Sequence, residues 1–237
     1  MQVELDGTSA RCVYKPVLGE APLWDFPDGT LAQREVAAWV LSDAGGWGVV
    51  PPTVLREGPF GQGSVQLWVG EDEPSSGPGA GLVDVVAPGE VPERWHEVVE
   101  GSGPGGTSVL LVHAEDPQLR RMAAFDVVAN NADRKGGHVL ADADGRAWGV
   151  DHGLTFHAED KLRTVLWGWA GQRLGAEVEQ LLATTAAALA GPAGAALAQL
   201  VTAEELAALG ERVERLAGRG RFPRPRRGAP ALPWPPF

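Results

Sequence analysis

One cysteine in 237 residues, Cys12, rules out an internal disulfide and leaves no material for a Cys-based zinc site. No run of eighteen or more apolar residues occurs, so no membrane span is expected. The opening MQVELDGTSARC has neither the basic n-region nor the apolar core of a secretory signal, and a cytoplasmic location is the expectation. Positive charge is scarce. Twenty Lys and Arg face 31 Asp and Glu, for a net charge of -11, and such a field repels nucleic acid and acidic lipid surfaces as main partners. The C-terminal tail runs against this balance, with Arg219, Arg221, Arg224, Arg226 and Arg227 among prolines. Its composition reads as a solvated, disordered end.

The remainder is ordinary for a folded protein: 44% hydrophobic and 22% charged, long enough for one large domain or two small lobes. Residues 9–17 (SARCVYKPV) read as a strand, and apolar Val36, Trp39, Val40 and Ala44 recur at helical spacing across 31–44, with Asp28-Gly29-Thr30 as the cap. Val50-Pro-Pro-Thr-Val-Leu leads into a strand, and Ser64 to Val69 is another. Residues 71–81 (EDEPSSGPGAG) have the composition of a hinge or linker. Beyond it a helix is expected over 114–130, starting near Glu115-Asp116-Pro117, then short strands at 139–140 and 147–150 around the turn Asp142-Ala-Asp-Gly145. Helices follow near 174–190, 193–200 and 203–217, the last with Thr202 and Glu205 as a capping box. The expected outline is α+β and two-lobed: an N-lobe over 1–70, the linker 71–81, a mainly helical C-lobe over 82–218 with a hairpin, and an Arg/Pro-rich tail over 219–237.

The densest chemistry lies in FDVVANNADRKGGHVLADADGRAWGVDHGLTFH, residues 125–157. Asp133 sits where a helix should end, in Asp-Arg-Lys-Gly-Gly-His, and Asp151 closes the hairpin in Asp-His-Gly. Kinases use this order of aspartates, one to accept or orient the proton of the attacking hydroxyl and one to hold the Mg²⁺ that bridges the phosphates. Taken alone, a polar Asp-Arg-Lys loop is more often a solvated turn. The hairpin ending in Asp151 changes that balance. Lys15 in an apolar strand and Glu35 on the following helix fit the phosphate-positioning ion pair, although Lys15 could also sit on a strand edge. Asn130 and Asn131 are equally placed to order the loop, hold Asp133 or end the helix. His138, His152 and His157 with the aspartates raise a metal hydrolase as an alternative, but no His-x-x-x-His spacing supports it. Trp167 and Trp169 read as core of the helical part, with substrate presentation near Lys161 and Arg163 as the lesser reading. Trp24-Asp25-Phe26-Pro27 reads as a contact between lobes.

On VYKPVLGEAPLWDFPDGTLAQREVAAW, VVPPTVLREGPFGQGSVQLWV, FDVVANNADRKGGHVL and GVDHGLTFHAEDKLRTVLWGW, the chain resembles the actinobacterial phosphatidylinositol 3- and 4-kinase-like family. These are distant relatives of phosphoinositide kinases and HipA-type protein kinases, and the segments cover most of residues 13–169. The resemblance implies a two-lobed protein-kinase-like fold, with ATP and Mg²⁺ (or Mn²⁺) as cofactors. It does not fix a lipid substrate. The family pattern Asp-Arg-His-x-x-Asn falls on Asp133-Arg134-Lys135-Gly136-Gly137-His138, and Asp-Phe-Gly falls on Asp151-His152-Gly153. By the same carry-over Lys15 contacts phosphate, Glu35 is its partner, and Gln66, Leu67, Trp68 and Val69 pass the adenine with their backbone.

Two departures stand out. His138 replaces the metal-binding asparagine, and neutral imidazole suits hard Mg²⁺ poorly, which leaves a single metal, Mn²⁺, or substitution by Asn130 or Asn131. Only fourteen residues precede Lys15, so the first strands of the N-lobe and most of the phosphate-covering loop are expected to be missing. The expected activity is transfer of a γ-phosphoryl group to a hydroxyl of an unknown protein or small molecule. The competing expectation is a pseudokinase, a nucleotide-binding regulatory or scaffold module without turnover; transfer of AMP is a third.

Overall fold

Alternating residues at the start of the chain fold it into a hairpin, β1 (Gln2–Leu5) against β2 (Thr8–Pro16), with Val3 opposite Ala10. The computed structural model describes all residues except 6, 21–22, 24–25, 27–29, 71–78 and 80. The hairpin corrects one expectation: a first strand does precede the lysine strand. The link between them is a tight turn at Gly7, whose φ of 78° is open to glycine, and the pairing is prolonged by Cys12 N donating to Met1 O. Two further strands follow α1 (Leu31–Ala44) in sequence: β3 (Thr53–Gly58) and β4 (Gly61–Leu67), giving the antiparallel order β1-β2-β4-β3. Pro51 and Pro52 precede β3, which is the sheet edge and tolerates them there. At Gly63 the strands approach so closely that a β-carbon would collide with the Lys15 carbonyl and the Tyr14 ring.

The cap of α1 differs from the sequence expectation. Asp28 and Gly29 lie outside the described residues, and Thr30, at φ 63°, makes no side-chain cap. Glu20 supplies it instead, its carboxylate accepting from Leu31 N (3.3 Å) and Ala32 N (2.8 Å), which places negative charge at the positive end of the helix.

Residues 82–114, expected in a mainly helical lobe, form a three-stranded antiparallel sheet. Its strands are β5 (Val83–Val86), β6 (Trp95–Ser102) and β7 (Ser108–Ala114), in the order β5-β7-β6. The cause is visible in Trp95-His-Glu-Val-Val and Ser108-Val-Leu-Leu-Val, β-branched runs bounded by Gly103-Pro-Gly-Gly106. Helix α2 (Pro117–Ala129) then starts as its sequence suggests: Asp116 accepts from Gln118 N (2.8 Å) and Leu119 N (3.2 Å), with Pro117 in the first turn. The β8 (Val139–Ala141) and β9 (Ala147–Gly149) hairpin follows, then α3 (Ala176–Leu189), α4 (Pro192–Leu197) and α5 (Ala203–Arg219), the last opened by the Thr202–Glu205 capping box.

One hydrophobic cluster runs through the molecule. Leu119, Met122, Phe125 and Val128 on α2 are fully buried in it, together with Leu41, Trp47, Val165, Trp169, Leu182, Leu209 and Phe222. Helix α1 packs on both β3–β4 and α3–α4, so the cluster continues past the expected hinge at 71–81, nearly all of which lies outside the described residues. Trp24, Asp25 and Pro27 also lie outside them. Among the described residues no helix is long and apolar enough to cross a membrane.

The tail is ordered. Phe222 is buried, Ala231 O accepts from Thr164 N (3.1 Å) and Trp167 Nε1 (2.8 Å), and Pro236 O accepts from Gly136 N (2.8 Å). Its arginines misled the compositional reading. The apolar residues spaced between them, Phe222, Leu232 and Phe237, find places against the cluster, and that burial offsets the cost of ordering the chain.

Candidate functional site

Strand β2 carries Lys15 to the floor of a cleft where it meets two carboxylates from distant parts of the chain. Its Nζ lies 2.6 Å from Glu35 Oε1, on α1, and 2.8 Å from Asp151 Oδ1, just beyond β9. Glu35 is almost wholly buried, and its second oxygen accepts from His152 N at 3.0 Å, so one carboxylate fixes both the lysine and the Asp-His-Gly turn. Burial works against the Lys15 ammonium, but Glu35 and Asp151 outweigh it and hold its pKa above the ordinary value. Burial pushes Glu35 up despite Lys15. Asp151 also loses solvation, yet Lys15 and then His138 bring it below the usual aspartate range, so it is ionised.

Asp151 has a φ of 59°, a left-handed conformation that Asp tolerates better than most side chains. The turn is held from beneath by Arg134. Its Nε and Nη2 donate to Asp126 at 3.0 and 2.9 Å, its Nη1 donates to Val150 O at 3.0 Å, and its Nη2 lies 2.7 Å from His152 Nε2. Guanidinium has no acceptor, so His152 receives at Nε2 and carries its proton on Nδ1. Burial first, and the Arg134 charge second, depress the His152 pKa far below its normal value, keeping the ring neutral. Neither Arg134 nor Asp126 was singled out by sequence reasoning. The available signal was an aspartate in the apolar second half of that helix, MAAFDVVA.

Asp133 stands across the same cleft. Asn131 positions it, with Oδ1 accepting from Asp133 N (2.9 Å) and Nδ2 donating to Asp126 (3.0 Å). Asn130 does something different: it ends α2 at φ 53° and binds His157 O, Glu159 O and Lys161 N, shaping the chain beyond the turn. Burial raises the Asp133 pKa, Lys135 (Nζ to Oδ2, 3.5 Å) opposes it, and the Asp151 charge adds to the rise. His138 places Nε2 at 3.4 Å from Asp151 Oδ2, while its buried Nδ1 has no hydrogen-bond partner. Burial lowers its pKa to about 4, so the imidazole is neutral at physiological pH.

The cleft encloses about 490 Å³ and is lined by Lys15, Glu35, Asp133 and Asp151 with Tyr14 and Ser64, a volume ordinary for small-molecule sites. Gln66, Leu67, Trp68 and Val69 do not line it. Gln66 is buried and donates to Thr53 Oγ1 (2.8 Å), the Leu67 and Trp68 amides donate to Pro52 O and Arg11 O, and the Trp68 ring sits beneath the Arg11 guanidinium. Among the described residues no three His, Cys, Asp or Glu side chains group as a metal cage. Mg²⁺ in phosphotransfer sites needs only one or two carboxylates, phosphate oxygens and water completing its shell, and Asp151, ionised and lining the cleft, offers one. Trp169 is core: buried, it packs on His113 and Phe222 and donates to Glu115.

No family model matches the chain. It is 49% identical over 233 residues to Protein Rv2133c of Mycobacterium tuberculosis (strain ATCC 25618 / H37Rv), an alignment that spans 97% of this chain and 84% of that one.

Proposed function

We propose that this chain, which belongs to the family of the Mycobacterium tuberculosis protein Rv2133c, is an ATP- and divalent-metal-dependent phosphotransferase with a phosphatidylinositol 3-/4-kinase-like two-lobed fold. It would transfer the γ-phosphoryl group of ATP to a hydroxyl of a protein or small molecule. One observation carries the reading: Lys15 bridges Glu35 and Asp151 at 2.6 and 2.8 Å, in a cleft that Asp133 also lines. Residues from four separate stretches meet there in the arrangement that phosphoryl transfer requires, a cation for the phosphates, a carboxylate for the metal and a second carboxylate for the acceptor.

Each group has a part. Lys15, held by Glu35, neutralises phosphate oxygens. Asp133, its pKa raised by burial, orients the acceptor hydroxyl and takes its proton as oxygen bonds to the γ-phosphorus and the bond to the β-phosphate oxygen breaks, releasing ADP. Asp151, kept ionised by Lys15, would hold Mg²⁺ or Mn²⁺, with His138 beside it as the second candidate ligand. Such a metal, when bound, would neutralise phosphate charge.

Calorimetric titration with ATP, run with Mg²⁺ and with Mn²⁺, tests this on wild type and Asp151→Ala. Metal-dependent binding that disappears in the variant is expected. Equal binding by the two proteins would overturn the assignment.

A second reading has its own observation. His138 stands where kinases place an oxygen ligand, and the turn at Gly7 is too tight to cover phosphates, both of which suit a nucleotide-binding module without turnover. That reading expects ATP binding with no transfer of label from γ- or α-labelled ATP.

A further inference from the structure

A second cavity, of about 310 Å³, opens between the tail, α5 and the chain after Asn130, and its charge is the reverse of the protein's. Eight of the chain's 20 Lys and Arg line it, against two of its 31 Asp and Glu. Both acids are already engaged: Asp160 pairs with Arg215 (3.1 Å) and Arg226 (3.7 Å), and Glu159 lies 3.9 Å from Lys161. Among the described residues Arg219 and Arg224 have no ion-pair partner at all.

Arg212 on α5 adds an independent observation. It is 3% exposed, donates through Nε to Val128 O (3.0 Å) and through Nη1 to His157 O (3.1 Å), and leaves Nη2 buried without a partner on a side chain that lines the cavity. A buried guanidinium nitrogen lacking an acceptor costs free energy, which a turn of the side chain toward a bound anion removes. A concave surface with this surplus of guanidinium groups also concentrates anions against the chain's overall charge.

We propose that this cavity is a binding site for a small soluble phosphate-bearing anion, separate from the cleft around Lys15. Arginine is the fitting residue: its planar fork meets phosphate oxygens two at a time. The ligand would join α5 to the tail, since Arg212 and Arg219 come from the one and Arg221, Arg224 and Arg226 from the other. Pyrophosphate is a suitable probe because it carries two phosphates and fits the volume.

The test is calorimetric titration of the full chain with inorganic pyrophosphate at fixed ionic strength, with sodium chloride as the blank. Three proteins are compared: wild type, Lys15→Ala and Arg219→Gln/Arg224→Gln, the last altering two exposed side chains so that folding is preserved. Binding should weaken about tenfold or more in the arginine variant and stay within about twofold of wild type in Lys15→Ala. No binding to wild type overturns the proposal, and so does binding lost in Lys15→Ala but kept in the arginine variant, which would place pyrophosphate in the cleft. Phosphatidylcholine vesicles carrying phosphatidic acid separate the sources of phosphate: vesicle binding without pyrophosphate binding would overturn a soluble ligand.

Discussion

Arg134 and Asp126 meet at 2.9 Å with neither side chain reaching solvent. The pair joins the last turn of α2 to the loop that carries Asp133, and through His152 it reaches the turn that carries Asp151. The two acidic groups of the proposed site therefore rest on one buried ion pair, with Asn131 and Glu35 completing the support of Asp133 and of the Asp151 turn.

Removal of one partner leaves the other charged and unsatisfied in the core, so Arg134→Ala is expected to lower unfolding stability by about 3–5 kcal/mol. Arg134→Met with Asp126→Leu should cost less than the single change, because both charges are gone. Urea denaturation of the three proteins decides the matter. A single variant as stable as wild type would mean that the pair contributes nothing to the fold.

Asp133 should separate binding from turnover. Asp133→Asn keeps the hydrogen bond that the backbone amide of residue 133 donates to Asn131 Oδ1, so ATP should bind as it does to wild type. Phosphoryl transfer should fall by about two to four orders of magnitude, the usual worth of a positioned acid or base. Transfer that is measured and left unchanged would exclude Asp133 as the base.

Acid should destabilise the fold before the carboxylates titrate. His113 and His138 are both pulled by burial from an ordinary 6.5 to about 4. His113 faces His96 and Glu115, and His138 faces Asp151, Arg134 and Lys135. Between pH 6.5 and 4 the unfolded chain binds protons at these rings that the folded chain does not, so stability falls as pH falls through that window. Each ring is worth on the order of 3 kcal/mol at full effect. Chemical denaturation at pH 7, 6, 5 and 4 should show the decline, with a shallower slope in His138→Gln. An identical slope in that variant would count against a buried neutral His138.

The contact of Phe237 with Gly136 predicts a non-additive pair. A β-carbon at Gly136 would overlap the Phe237 ring, so Gly136→Ala alone should destabilise by about 1–3 kcal/mol. In a Phe237→Ala background the same change should be close to neutral, because the space is vacant. Thermal melts of the four proteins complete the cycle, and additive effects would show that the tail does not rest on Gly136.

Local chemistry made much of this legible in the sequence. Asp116-Pro117 and Thr202 with Glu205 announced the starts of α2 and α5, and Asp142-Ala-Asp-Gly announced the hairpin, since caps and turns act over four or five residues. Lys15, Glu35 and Asp151 were named as candidates and do converge, although periodicity alone could not place them within 3 Å of one another. What stayed hidden depends on partners outside the four or five residues over which caps and turns act. Glu20 capping α1 from 12 residues away, Arg134 choosing Asp126 from eight, and the pairing of β5 with β7, past β6 in sequence, are all of this kind. Gln66 to Val69 failed differently: their amides and the Gln66 side chain are consumed by neighbouring strands and loops, which a linear reading does not show.

The tail's seat on Gly136 also bears on the order in which the molecule forms. Pro236 and Phe237 close a chain loop of about a hundred residues onto the Asp133 loop, and closure over such a span is entropically costly and slow beside helix formation. In refolding, helical signal should return early, while the cleft acquires its final shape only when this last strap is fastened.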